Sequence, residues 1–194
     1  MITNRHLIPF DDLELSRILQ LLERAGVENA LERLPRVRWK QIVYSFSWTR
    51  NARPTVANAA EERFSHILAH ASASIITGIQ ASAVGAELVV EDTSVVPSTK
   101  DWARYDDPLK FAAARNPLDY IRAQVKPSST EQVATREIPL SHLVNAPERG
   151  FMPSLLDYVP GGNFSSYEVL LTQPADIYVP RVDISLTAIL MEGL

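Results

Sequence analysis

Between Arg36 and Arg50 the sequence RVRWKQIVYSFSWTR alternates with period two, and this constrains local conformation more tightly than any other stretch of the chain. Even positions read Arg36, Arg38, Lys40, Ile42, Tyr44, Phe46, Trp48 and Arg50, while Ser45, Ser47 and Thr49 hold odd positions of the second half. Successive side chains of a strand point to opposite faces, so one face carries three aromatic rings in a row and the other carries hydroxyls. The hydroxyl face is the wet one. The aromatic face is then the core side of a sheet and needs a cover.

The same stretch poses an electrostatic question. Arg33, Arg36, Arg38, Lys40, Arg50 and Arg53 are six cations with no acid among them, in a chain whose net charge is -4. The acids lie elsewhere, with a local balance of -3 over residues 1–32 and -7 over residues 61–194. Such a chain repels polyanions at long range, so any contact with nucleic acid has to be local. Arg36, Arg38, Lys40 and Arg50 flanking Tyr44, Phe46 and Trp48 are the ingredients of a stacking platform for RNA or single-stranded DNA. That is the alternative to a core strand whose flanking charges meet acidic protein surface.

Upstream, FDDLELSRILQLLERAG reads as a helix. Leu15, Ile18, Leu19 and Leu22 recur at helical spacing, and Gly26 stands where a left-handed residue ends the element. A second short helix, VENALERL, stops at Pro35. Pro35 and the acids Glu28 and Glu32 argue against a DNA-reading helix-turn-helix. Downstream, NAAEERFSHILAHASASIITGIQASAVG reads as the longest helix. Asn58 and Glu61 have capping-box spacing, Phe64, Ile67, Leu68, Ala71, Ile75 and Ile79 form a stripe, and Gly85 ends it. AELVVEDTSVVP is an expected strand.

From residue 97 to 160 the chain carries eight of its thirteen prolines, which excludes long continuous elements there. Two short helices are expected, one from Asp107 with Pro108 in its first turn and one from Asn116 with Pro117 likewise, and a short strand in QVATREIP. SSYEVLLTQ and DIYVPRVDISLTAILMEG read as a C-terminal β-hairpin turning at residues 173–176, and Pro180 marks the last strand, at least at its start, as an edge or bulged. The expected fold class is therefore α+β: a mostly antiparallel sheet, a long helix in the N-terminal half, a Pro-rich irregular middle and a C-terminal hairpin. A chain of 194 residues makes one such domain, 1–194, with 97–163 as an irregular arm region. At this size roughly 70% of the unfolded surface is buried on folding, so neither metal nor disulfide is needed to hold it.

The absence of cysteine excludes thiol catalysis, thiolate zinc sites and disulfides. His66 and His70, with Glu62 one turn earlier, would share a face of the long helix and are weak metal candidates, leaving a small metal-dependent enzyme as the second alternative. Glu91, Asp92, Asp101, Asp106 and Asp107 lack the lysine that many acidic nuclease sites place beside them. No nucleophile triad, Walker loop or dinucleotide loop occurs, so no catalytic residue, cofactor or small-molecule substrate is assigned.

The N-terminal stretch has no apolar run of signal length, and AHASASIITGIQASAVGA is too rich in Ser, Ala and Gly for a membrane span. The expected location is cytoplasmic or within a viral particle, without membrane contact. In PERGFMPSLLDYVPGGN, Phe151, Met152, Leu155, Leu156 and Tyr158 lie between prolines with no local element to cover them, which points to a partner interface. The leading expectation is a non-catalytic assembly subunit of a large complex, most commonly a virus or bacteriophage particle, whose partners are copies of itself or other subunits.

Overall fold

A computed structural model describes residues 12–24, 26–50, 52–70, 72–111, 116–127, 137–144, 155–157 and 165–194. Two helices open it, α1 (Asp12–Arg24) and α2 (Ala30–Arg33). The first forms where the periodicity puts it, with Leu15, Ile18 and Leu22 buried on one side. It ends at Gly26, φ +79°, where Gly26 N–H donates to the Glu23 carbonyl and Val27 N–H to the Leu22 carbonyl, the paired bonds of a Schellman stop. A 3-10 turn at Leu34–Arg36, with Pro35 in it, ends the helical region.

Strands follow: β1 (Arg38–Thr49), β2 (Glu62–His70), β3 (Ala73–Val84), β4 (Glu87–Asp92), β5 (Thr99–Arg104), β6 (Arg122–Pro127), β7 (Ile138–Pro139), β8 (Leu155–Asp157), β9 (Ser165–Gln173), β10 (Ile177–Tyr178) and β11 (Arg181–Glu192), with one helical turn, α3 (Leu140–Leu143), after β7. They make three sheets, in the orders β1-β11-β3-β8, β2-β9-β6-β7 and β10-β4-β5, with antiparallel pairing throughout. The two four-stranded sheets pack face to face. Trp48, Ile76, Ile79, Val182, Ile184 and Leu186 of the first meet Leu68, Ala123, Val125, Tyr167, Val169 and Leu171 of the second in one buried cluster. Tyr167 also ties the sheets together by polar contact: its hydroxyl donates to the Ser74 carbonyl at 2.8 Å and accepts from Ser74 Oγ at 2.9 Å.

The helices cover one end of the first sheet's outer face, where Leu15, Ile18, Leu22, Val27 and Leu34 pack on Ile75 and Met191. A bulge makes this double covering work. β3 pairs Gly78 with Thr187 but Ile76 with Ala188, leaving Thr77 as the extra residue. Even residues of β3 face inward before the slip, as Ser74 and Ile76 do, and odd ones after it, as Ile79 does. Ile75 is thereby released to the helices.

The expected long helix at 58–85 does not exist; its residues form β2 and β3, in different sheets. Glu62, Phe64, His66 and Leu68 turn inward on β2, and Ile67 is 64% exposed on its outer side. The segment 62–84 carries the β-branched Ile67, Ile75, Ile76, Thr77 and Val84, which fit a pleated strand better than a helix, and Asn58 caps no helix, being the last residue of the 3-10 turn Val56–Asn58. The α+β expectation therefore gives way to a mostly antiparallel β fold with short helices. The C-terminal hairpin is corrected too, since β9 pairs with β2 and β6 whereas β11 lies between β1 and β3. β11 is thus central, and Pro180 precedes its first ladder residue, where a missing N–H costs no ladder bond. Of the two expected short helices, that from Asn116 is the 3-10 turn Pro117–Asp119, where Asn116 accepts from Leu118 N–H at 3.1 Å, and the described residues after Asp107 form a turn in which Asp107 accepts from Leu109 N–H at 2.9 Å. No helix among the described residues is long and apolar enough to cross a membrane.

Candidate functional site

The strand that carries the cationic stretch, β1, is an outermost strand of its sheet, and β2 is an outermost strand of the other. They face each other across one side of the sandwich, and aromatic rings fill the space between them. Trp48 stacks on Phe64 with centroids 5.8 Å apart and planes at 12°, and Phe46 stacks on His66 at 4.4 Å and on Phe64 at 6.3 Å. Phe46 and Trp48 therefore look inward and are covered by β2, not by a helix, and Tyr44 packs half-buried against the same core. Burial disfavours the charged phenolate and pushes the Tyr44 pKa up. Rings already stacked on protein rings are not open to bases.

The cations of the stretch divide into two groups. Arg50, its side chain only 7% exposed, donates to Glu62 and lies 5.1 Å from the Tyr178 ring centroid. Arg53 donates to both carboxylate oxygens of Glu87, at 2.9 and 2.8 Å, and that bond raises the affinity of the guanidinium for its proton. Trp102 closes the corner by donating to the Pro54 carbonyl at 2.9 Å. These two arginines serve the fold. At the other end of β1, Arg38 sits 3.8 Å from Glu192, and Arg33, Arg36 and Lys40 have no ion pair among the described residues. The platform residues are thus not assembled on one accessible face.

Over residues 41–49 the backbone of β1 has one side that no described strand takes. Arg50 N–H donates to the Pro180 carbonyl at 2.8 Å, in line with the β1 and β11 register. In an antiparallel pair that bond places even residues of β1 in hydrogen-bonded pairs with β11, so the N–H and C=O of odd residues 41–49 point away from the sheet. Among the described residues no strand pairs with that side. Along the edge, Gln41, Val43, Ser45, Ser47 and Thr49 are exposed outward, and Val43 is 60% exposed. The run 41–49 contains no charge, proline or glycine. The outer face behind it is a hydroxyl array, with Ser45 Oγ 2.9 Å from Ser185 Oγ and Ser47 donating to Asp183. That bond, with a second from Arg181, holds the Asp183 carboxyl below the usual carboxylate range.

The other expected sites fare as follows. Glu62, His66 and His70 lie on a strand, where residues four apart are separated by about 13 Å instead of one helical turn. The adjacency that made them metal candidates is absent, because Glu62 serves Arg50 and His66 stacks on Phe46. Glu91 accepts from Ser98, Asp92 from Ser94 and Asp106 from Arg104, so these acids are engaged locally. A cleft of about 170 Å³ between Asp92, Asp101 and Lys110, and one of about 160 Å³ between Arg63, Lys126 and Glu137, are smaller than ordinary ligand sites. Of the arm, Phe151, Met152 and Tyr158 lie outside the described residues, while Leu155 and Leu156 stand on β8, paired with Ile76 and Ile75. The chain matches no family model, no curated protein and no solved structure.

Proposed function

We propose that the chain is a non-catalytic structural subunit of a multi-subunit assembly, with a virus or bacteriophage particle as the favoured setting. One observation carries the reading: the uncharged edge of β1 over residues 41–49, with whose outer side no strand among the described residues pairs. Open edges are templates for further strand pairing, and proteins that work alone blunt them with charge, proline or bulges. Here the charges stand only at the two ends. Two-sheet sandwiches are common building units of viral shells, which supports the setting by architecture alone. The engaged acids and small clefts offer no centre around which to write a reaction. Light scattering of the full chain over a concentration series tests the reading. A mass above 21.6 kDa that rises to a plateau is expected, and a 21.6 kDa species at every concentration overturns it.

A second reading has one observation in its favour: Arg33, Arg36 and Lys40, beside Arg38, have no ion pair among the described residues. In it the chain holds a nucleic acid by its phosphates alone, without base stacking. A single strand gripped by about four cations gives a log-log salt slope of about -2 to -3. Binding that is independent of salt removes this reading.

A further inference from the structure

We draw no further inference here: the strongest candidate, the exposed apolar tip of the β4–β5 hairpin at Val95 and Val96, carries none, because nothing among the described residues shows what covers it.

Discussion

Replacing alternate residues of β1 by alanine should produce a sawtooth in stability. Trp48 is 8% exposed and stacked on Phe64, so Trp48→Ala removes a buried ring and leaves a cavity between the sheets. Such truncations cost about 3–5 kcal/mol, of which the ring pair accounts for roughly 0.5–1.5. Phe46 is half-buried against His66 and Phe64, which puts Phe46→Ala at about 3 kcal/mol, the lower end of that range. Ser47→Ala and Val43→Ala change surface groups and should stay within about 0.5 kcal/mol. Against a total stability of about 5–15 kcal/mol, the Trp48 change alone takes away a large fraction. Urea unfolding followed by far-ultraviolet circular dichroism reads this directly. With a slope of about 2 kcal/mol per molar, the Trp48→Ala midpoint falls by roughly 1.5–2.5 M and the Ser47→Ala midpoint hardly moves. Unchanged midpoints for both aromatic variants would refute the packing described here. If those variants also lost affinity for single-stranded nucleic acid, the rings would be a binding platform after all.

Tyr167→Phe removes the hydroxyl that bonds Ser74 twice across the sheets, and should cost about 2 kcal/mol, read as a fall in Tm of roughly 4–8 °C. A shift under one degree would mean that the bridge contributes nothing net. Ser47→Ala should also raise the Asp183 pKa toward the ordinary value near 3.9, measurable by carboxyl NMR titration. The sign follows from linkage. A depressed folded pKa stabilises the protein above the unfolded pKa, and this contribution is lost as pH falls through the lower folded value, so the variant has less to lose below about pH 4. An Asp183 titration that ignores the substitution would place its cause in Arg181 instead.

What could be read from the residues depended on whether a single local rule governed each segment. In α1 it did, because a stripe of leucines and a terminal Gly26 specify helix without reference to the rest of the chain. The alternation of β1 likewise specified a strand and its buried side. At 62–84 two rules collided. The bulge at Thr77 interrupts the period of two, and the resulting four-residue interval from Ile75 to Ile79 imitates one turn of helix. Those two isoleucines in fact face opposite sides of the sheet, one toward the helices and one toward the second sheet. The neighbours of β11 were equally hidden, since pairing between residues more than a hundred positions apart leaves no local mark. The arrangement of the candidate site followed from these distant pairings: β1 is an edge only because β11 takes its other side. No inspection of residues 38–49 alone reveals that.

The helical pair that covers one end of the first sheet divides β11 into two thermal regimes. Val182, Ile184 and Leu186 belong to the core between the sheets, and their amides can reach solvent only when the sandwich itself comes apart. Met191 belongs to the cluster beneath α1 and α2, which are joined to the sandwich by their own apolar stripe and by a short lead into β1. Undocking of the pair bares Ile75 and Met191 while both sheets remain closed. Amide hydrogen exchange along this one strand should therefore report two opening free energies, a lower one at residues 189–191 and the global one at residues 182–186. The C-terminal end of β11 is in effect a gauge of whether α1 and α2 are seated.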